Sequence, residues 1–469
     1  MKCLVVGAGN AGRPVARILN YTGNSILLTD IKKLNEFPKK VQETIRLMEN
    51  EGVELALDCD DFDDLDFGEI ECAYVSPNIP PNTPVWKFLV ENNVEILSNE
   101  YISDIINELL EIDIIGVTGT VGKTSTTHIL AEILSAAGYN VWSCSSRMGN
   151  LLSEVIIDGI IKGFHKNSDV AVLELPHGTS RLMSTVELKV GIITNIFPDH
   201  LDEFDYTMEN YVARKLFITH SSEILVSGIQ CKEYIEPFRN DSIYYCHTGT
   251  SKVQGELEDG FLNINYNIPK LKREGNLNTP FKLSGYYINN SIGAATAALA
   301  YGIDENSINK GLSNFTGIEG HMEYMGNYND REVHFDAAFV PEGIVNTLES
   351  FNNHDLIILI DNPDSTNPRD KVKLGEIIGR YAKVMICSGY NETTHKFDVK
   401  AANDIIKGAQ DSSALKLATE DMFIAGELAI KHSDPGDIIV HIGPGAITNY
   451  EDLKFKMMSG IKEGCKKYD

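Results

Sequence analysis

The chain has 469 residues, 43% of them hydrophobic and 23% charged, and its 67 Asp and Glu against 41 Lys and Arg give a formal charge of −26 at pH 7. This composition excludes a mainly disordered chain, and the length predicts about three domains of roughly 150 residues each. The negative charge repels phosphodiester backbones and anionic membranes, so it excludes nucleic acid and membrane partners but not a local phosphate-binding loop.

The amino-terminal unit is predicted to be Rossmann-like. An apolar run over residues 2–7 leads into a glycine-rich turn at residues 7–12, a helical pattern follows, and a second apolar run ends at Asp30. This order is typical of nucleotide-binding and dinucleotide-binding units. Because Met1 leads straight into the first strand without a leader peptide, we expect a cytoplasmic protein. We place the end of this unit at residue 102.

A second α/β unit is predicted over residues 103–317. The apolar run 112–117 predicts a strand that feeds a glycine-rich loop and a helix. Two further apolar runs, 170–175 and 190–195, end in polar residues. Open parallel sheets bind their ligands at such strand ends, so we expect a central P-loop domain with a mainly parallel sheet.

The remaining residues, 318–469, predict a third, Rossmann-like α/β domain. Apolar runs at 332–335, 356–360, 384–387 and 437–442 alternate with helical patterns. Alternation of this kind throughout the chain predicts an α/β protein of three domains with right-handed crossovers. The eight cysteines are scattered without ligand spacing, so we expect reduced structural thiols.

The loop of the central unit has the chemistry of a triphosphate site. Glycines allow the backbone to approach the phosphates, a lysine spreads its charge over the β and γ oxygens, and a hydroxyl reaches Mg²⁺. Val117 stands where the common P-loop pattern has its first glycine, so this is a shorter variant. The residues expected to bind ATP here are Gly119, Thr120, Val121, Gly122, Lys123, Thr124 and Ser125.

The sequence GVTGTVGKTST, which contains this loop, resembles the ATP loop of the Mur ligase family. Members are ATP-dependent amide ligases that build peptide stems on UDP-linked cell-wall precursors. Further motifs follow over the whole chain in the family's order: MGNL at 148–151, LEL at 173–175, TNIFPDHLD at 194–202, YVARK at 211–215, GYYINN at 285–290, DAAFVPE at 336–342 and DNPD at 361–364.

The resemblance implies a catalytic and metal-binding set around the loop. Glu174 and Thr124 would bind Mg²⁺, and His200 would lie near the metal and the reacting acyl group. Lys215 matches a lysine that family members carbamylate, which turns a cation into an anionic ligand. Two Mg²⁺ ions between several phosphate and acyl oxygens need such anionic ligands. With Lys123, these residues form the expected catalytic set.

The resemblance also implies which residues contact the adenine base and the ribose of ATP. Asn290 would read adenine, and Asp336 would contact the ATP ribose. Three positions depart from the family's pattern: Tyr287 stands in place of an Asn, Phe339 in place of a His, and His321 in place of an Arg that reaches the phosphates.

The acceptor amino acid would meet the segment Asp361, Asn362 and Asp364. Members that add diaminopimelate carry an Arg where this chain has Asp364, so that acceptor is disfavoured. The amino-terminal unit resembles the D-glutamate-adding branch, in which it holds UDP rather than a dinucleotide. The residues implied to bind the UDP-linked precursor are Gly7, Gly9, Asn10, Ala11, Gly12, Asp30, Ser76 and Asn150.

These observations predict an ATP-dependent ligase that works through an acyl phosphate, acts as a monomer and closes its third domain on ATP. The departures from the bacterial pattern favour a place among the methanogen ligases that build pseudomurein, with murein (peptidoglycan) as the other wall polymer. A folylpolyglutamate-synthase-like ligase is the alternative within the enzyme class, but it lacks the amino-terminal unit. From other classes, an NAD-dependent oxidoreductase and a nucleotide-binding regulatory protein stay as alternatives.

Overall fold

In the computed structural model, three sheets with helices packed against them follow one another along the chain. The structure describes residues 1–59, 70–149, 152–199, 201–351, 353–365, 369–391, 394 and 396–468. The predicted α/β class is confirmed, while the boundaries at residues 102 and 317 stay predictions. One helix, Asn99–Leu109, runs across residue 102.

The first sheet is parallel, in the order β3-β2-β1-β4-β5. Its central strand is almost wholly buried, which explains why its sequence is a continuous apolar run rather than an alternating one. The strands are β1 Lys2–Val6, β2 Ser25–Asp30, β3 Glu54–Leu57, β4 Cys72–Val75 and β5 Glu95–Ile96. The helices are α1 Gly12–Tyr21, α2 Lys39–Asn50, α3 Pro84–Glu91 and α4 Asn99–Leu109.

The second sheet has the order β14-β13-β12-β11-β10-β9-β6-β8-β7. Its strands from β6 to β12 pair in parallel, whereas β12, β13 and β14 pair antiparallel and add a hairpin edge that the sequence analysis did not predict. The strands are β6 Asp113–Thr118, β7 Val141–Cys144, β8 Val170–Glu174, β9 Leu188–Ile193, β10 Ser222–Gly228, β11 Ile243–Cys246, β12 Val253–Glu258, β13 Phe261–Ile268 and β14 Arg273–Pro280. The helices are α5 Lys123–Ala136, α6 Leu152–Ile161, α7 Met208–Lys215, α8 Phe217–Ser221, α9 Lys232–Ile235, α10 Tyr286–Tyr301 and α11 Glu305–Asn314.

The third sheet has the order β15-β16-β22-β17-β18-β21, and β19 and β20 form a separate hairpin. The strands are β15 Glu323–Tyr328, β16 Arg331–Asp336, β17 Leu356–Ile360, β18 Ala382–Ser388, β19 Tyr390–Asn391, β20 Lys396–Phe397, β21 Leu415–Thr419 and β22 Ile438–Ile442. The helices are α12 Pro341–Glu349, α13 Lys371–Gly379, α14 Val399–Gly408, α15 Met422–Lys431, α16 Gly445–Thr448 and α17 Tyr450–Tyr468. Single 3₁₀ turns occupy Leu34–Glu36, Phe164–Asn167, Thr179–Arg181, Leu201–Glu203, Ile229–Cys231, Pro269–Leu271 and Pro363–Ser365.

Buried ion pairs tie the first unit to the second. Arg13 of α1 is 3% exposed, and its Nε lies 2.5 Å from Glu154 of α6. One turn later, Arg17 pairs with Asp158 of α6 at 3.2 Å. Because buried guanidinium groups are costly without an anionic partner, these pairs fix how the two units meet.

The thiol prediction is wrong for one pair. Cys3 of β1 and Cys72 of β4 are in-register neighbours on parallel strands, and a disulfide joins them. Strand register brings together residues 69 positions apart, which sequence spacing does not reveal. No helix in the described part of the chain is long and apolar enough to cross a membrane.

Candidate active site

A cleft of about 1650 Å³ opens between the three units. Its walls include the glycine-rich turns that follow β1 and β6, and β16 with the start of α12. The carboxyl ends of parallel strands meet here, as expected for an open α/β sheet. Most residues of the predicted site face this cleft.

The loop between β6 and α5 is held in shape by the segment that follows β9. Asn195 accepts a hydrogen bond from the Val121 N–H at 2.9 Å and donates one to the Val121 carbonyl at 3.0 Å. Thr120 pairs through its hydroxyl with Tyr211 at 2.9 Å. Gly122 has φ +80°, a left-handed conformation that favours glycine. The loop is therefore fixed before any ligand enters.

Helix α5 begins at Lys123, directly after this loop. The first-turn N–H groups of a helix have no partner within the helix and carry a partial positive charge, which makes this end an anion site. The Lys123 ammonium donates to the Thr120 carbonyl at 2.7 Å and so lies across the loop. This arrangement suits the β and γ phosphates of a nucleotide.

Three oxygen groups converge beside the loop. The Thr124 hydroxyl donates to Glu174 at 3.0 Å and lies 2.9 Å from the Ser146 hydroxyl, and the Ser146 N–H donates to the same Glu174 oxygen at 3.0 Å. Glu174 is 2% exposed. Hydroxyl and carboxylate oxygens are the ligands that Mg²⁺ prefers, with phosphate oxygens and water completing its shell. Over the described residues, no cluster of three or more His, Cys, Asp and Glu side chains is arranged to hold a metal.

Lys215 lies behind the loop rather than on the cleft wall. Its side chain is 2% exposed, and its amine donates to the Gly119 carbonyl at 2.7 Å. Burial, and then the charge of Lys123, lower the pKa of the Lys215 amine well below its usual value. The neutral amine is the form that adds CO₂ to give a carbamate. His200, the other predicted metal neighbour, lies outside the described residues.

Of the residues predicted to hold adenosine, Asn290 lies in the first turns of α10 and Asp336 lies beside that helix. Asn290 faces the cleft, and its buried amide nitrogen has no hydrogen-bond partner among the described residues. Asp336 is 1% exposed and accepts hydrogen bonds from the Tyr286 hydroxyl at 2.8 Å, the Met322 N–H at 2.9 Å and the Thr347 hydroxyl. In this arrangement Asp336 already has three donors before any ribose binds.

Two departures from the family pattern find a structural role here. The Tyr287 hydroxyl donates to the His321 carbonyl at 2.8 Å and accepts from the Ile318 N–H at 2.9 Å. Tyr287 therefore ties α10 to the linker between the second and third units. His321 lines the cleft, and Phe339 packs against the guanidinium of Arg369 at 5.1 Å.

The amino-terminal unit faces the same cleft through Gly7, Gly9, Asn10 and Ala11 of its glycine-rich loop, and through Asp30 and Ser76 at the ends of neighbouring strands. The Ala8 N–H donates to Asp30 at 2.7 Å, and the Lys32 N–H donates to its other oxygen at 2.9 Å. Gly12 has a packing role, because an added Cβ would meet the Gly7 carbonyl oxygen at 1.8 Å. Asn150 lies outside the described residues.

The predicted acceptor segment does not line this cleft. Asp361 and Asn362 are buried, and Asp361 accepts from the Gly445 N–H at 2.7 Å. Burial raises the pKa of the Asp361 carboxyl. Asp364 is bound within its own unit, by the Arg369 N–H at 2.8 Å and by the Lys371 amine at 2.6 Å. The cleft wall beside this segment is instead formed by Arg369.

Several site residues were not found from the sequence. Ser146 stands in none of the motifs, and Tyr286 stands in the motif at 285–290 without an assigned function; their roles come from contacts with Glu174 and Asp336. Asn195 and Tyr211 stood within quoted motifs without an assigned function. Arg369 lies five residues beyond Asp364, and no pattern in the sequence assigned it a function.

A strand-end loop with a lysine, beside a buried glutamate that accepts a hydrogen bond from a threonine hydroxyl, is the arrangement of a nucleotide-phosphate site. Residues 117–298 match the family model of the Mur ligase middle domain. An uncharacterized protein of Methanothermobacter thermautotrophicus is 40% identical over 219 residues, which cover 46% of this chain and 69% of that protein. A UDP-N-acetylmuramoylalanine–D-glutamate ligase of Streptococcus equi subsp. zooepidemicus is 24% identical, covering 94% of this chain and 91% of its own.

Two solved structures share the fold over nearly the whole chain. A pseudomurein peptide ligase type C from Methanothermus fervidus has a TM-score of 0.58 and 21% identity, covering 97% of this chain and 100% of its own. A MurF ligase from Thermotoga maritima in complex with ADP has a TM-score of 0.64 and 15% identity, covering 96% and 99%. The chain belongs to the Mur ligase family and, as a member, is an ATP-dependent amide ligase.

Proposed function

We propose that this protein joins an amino acid to a UDP-linked cell-wall precursor at the expense of ATP, through an acyl phosphate. The observation that carries the proposal is one cleft in which a phosphate loop with Lys123, the Thr124–Glu174 pair and a glycine-rich amino-terminal loop face one another. Similarity to a UDP-N-acetylmuramoylalanine–D-glutamate ligase over 94% of the chain supports the same reaction class.

The reaction would proceed in two steps. A carboxylate oxygen of the precursor attacks the γ phosphorus, the bond to the β–γ bridging oxygen breaks, and ADP leaves. The amine of the acceptor then attacks the acyl carbon and loses a proton as inorganic phosphate leaves. Lys123 and the first-turn N–H groups of α5 stabilise the charge on the transferring phosphoryl group. Positioning and charge neutralisation supply most of the rate enhancement.

The donors beside the loop suit Mg²⁺. Thr124 and Glu174 would hold one ion, which supplies charge neutralisation at the phosphate oxygens. A second ion needs another anionic ligand, and the buried Lys215 amine suits carbamylation because its lowered pKa favours the neutral form. Its side chain would have to turn from the Gly119 carbonyl toward the cleft. His200 is proposed to lie near this second ion.

The three units would divide the substrates. Residues 1–102 would bind the UDP-linked precursor, residues 103–317 would bind ATP, and residues 318–469 would close on ATP and meet the acceptor. Two candidate wall polymers are murein and pseudomurein, and the departures from the bacterial pattern at His321, Phe339 and Asp364 favour the second. We propose a monomer that works in the cytoplasm.

The test is phosphate release from ATP by the full chain, with Mg²⁺, UDP-linked precursors and a panel of amino acids. We expect phosphate and ADP in equal amounts, only when precursor and amino acid are both present, with a product heavier by one aminoacyl residue. A rate of phosphate release that does not change with any precursor would reject the proposal. Thermal shifts with UDP and with NAD test the first unit separately, since stabilisation by NAD alone would favour an oxidoreductase.

A further inference from the structure

Arg369 is a buried guanidinium on the wall of the cleft. Its side chain is 11% exposed, and Nη1 donates to the Asp199 carboxylate of the central unit. The guanidinium carbon lies over the Phe339 ring, 5.1 Å from its centroid. These two contacts hold the guanidinium in place.

The other edge of this guanidinium is covered by protein but has no hydrogen-bond acceptor among the described residues. Nε and Nη2 are buried and have no hydrogen-bond partner in the part of the chain that the structure describes. These two nitrogens direct parallel N–H bonds from one edge, the geometry that binds both oxygens of a carboxylate. A buried charged donor without a partner costs free energy, so this edge is favourable only when an anion occupies it.

The backbone of Arg369 is anchored as firmly as its side chain. Its N–H donates to Asp364 at 2.8 Å, and the Lys371 amine holds the second Asp364 oxygen at 2.6 Å and reaches the Arg369 carbonyl at 3.2 Å. Asp364 therefore holds the backbone of Arg369 in place. The segment predicted to meet the acceptor thus presents a cation to the cleft instead of a carboxylate.

We infer that the Nε–Nη2 edge of Arg369 binds the α-carboxylate of the incoming amino acid, an inference that rests on the proposed ligase function. The Asp199 partner neutralises much of the guanidinium charge, which suits a planar monoanion better than a phosphate dianion. Both nitrogens are shielded from solvent in this arrangement. Entry of the carboxylate therefore requires the third unit to move away from the central one.

The test compares each amino acid of the panel with its α-carboxamide, which keeps the amine and loses the charge. The parent enzyme should prefer the amino acid over the amide by about 10- to 100-fold in kcat/KM, the effect of one charge-assisted bidentate pair. In Arg369→Gln the KM for the amino acid should rise by about the same factor, and the preference over the amide should fall to near one. Arg369→Lys should recover only part of the preference, because lysine lacks the fork.

Arg380→Gln is the matched control. Arg380 is 63% exposed and pairs on the surface with Glu376 of the same helix region, so its loss should leave both kinetic constants unchanged. Exchange of label between ADP and ATP, measured with precursor and without amino acid, should be equal in the parent and in Arg369→Gln. This exchange reports the phosphorylation step alone.

The outcomes separate two failures. A parent enzyme that releases no phosphate with any precursor rejects the ligase function. An active parent whose preference for amino acid over amide survives Arg369→Gln overturns the inference and leaves the ligase function standing. Loss of ADP–ATP exchange in Arg369→Gln or Arg369→Lys, with an unchanged melting temperature, would also overturn it, because the arginine would then serve the phosphates.

Discussion

The chain contains two glycine-rich turns between a strand and a helix, at residues 7–12 and 119–124, and both face the same cleft. In the first, the loop's own N–H group at Ala8 is bound by Asp30 at 2.7 Å. Its basic residue, Arg13, folds back to the Ala8 carbonyl at 2.7 Å and pairs with Glu154. Both the acid and the base of this turn are engaged within the protein.

In the second turn, the hydrogen bonds that hold the loop come from residues elsewhere in the chain. Asn195 holds Val121, and Tyr211 holds Thr120. The helix end and the two N–H donors that Lys123 does not use on the Thr120 carbonyl stay available to a ligand. Its acid, Glu174, binds the Thr124 hydroxyl instead of a loop N–H group. The same glycine-rich pattern between a strand and a helix therefore occurs in two different charge environments. The second turn offers enough positive charge for a triphosphate with its metal. The first turn offers less, which suits the smaller charge of a UDP-linked precursor.

The largest effect should come from removing the cation of the second turn. Lys123→Ala should lower ATP-dependent phosphate release by about 10²- to 10³-fold or more, since the lysine stabilises charge that develops on the γ phosphoryl group. UDP binding to the first turn should be unchanged. The control is Lys400→Ala, because Lys400 is 81% exposed and pairs only with Asp404 in the described chain. Near-normal turnover by Lys123→Ala would mean that the second turn does not stabilise the transferring phosphoryl group, and the proposed difference between the two turns would be wrong.

The next effect concerns the buried lysine behind the second turn. Lys215→Ala should lower turnover by about 10²-fold, the usual cost of disturbing a metal's supporting shell. Short carboxylic acids such as acetate should restore part of this activity by replacing the carbamate. In the parent, activity after CO₂ depletion should recover with bicarbonate, because the lowered pKa keeps the Lys215 amine in the neutral form that adds CO₂.

Lys232→Ala, on the surface of the same unit, is the control for this experiment. Acetate and bicarbonate should leave it unaffected. An Ala variant at position 215 as active as the parent would mean that the amine only supports the Gly119 carbonyl.

The features that sequence analysis found are those that follow from position along a strand. Lys123, Thr124 and Glu174 each end a strand or begin the helix after one, and parallel strands bring such ends together. Their proximity, with 3.0 Å between the Thr124 hydroxyl and Glu174, follows from topology alone. The α/β class followed in the same way, from alternating apolar runs.

What the sequence did not reveal depends on pairing between distant side chains. Asp364 was expected to face the acceptor, yet Lys371 and the Arg369 N–H bind it within its own unit. Asp336 was expected to meet ribose, and three protein donors already contact it. Such competition between partners is set by packing in three dimensions and leaves no periodic signal in the sequence.

The smallest effect tests the first turn, and the sign of the change in UDP affinity decides between two roles of Asp30. Both Asp30 oxygens accept backbone N–H groups, from Ala8 and Lys32, so we expect this carboxylate to shape the loop rather than to read a ribose. Asp30→Asn keeps an acceptor oxygen and removes a negative charge beside the place of the diphosphate. UDP should therefore bind about two- to five-fold more tightly at low salt, and the gain should shrink as salt screens the charge.

Calorimetric titration at two salt concentrations measures this, with Glu91→Gln as control because Glu91 is 64% exposed. Weaker binding of UDP by Asp30→Asn would mean that Asp30 reads a sugar hydroxyl, the role of this acid in dinucleotide-binding units, and the two turns would then differ less than their contacts indicate.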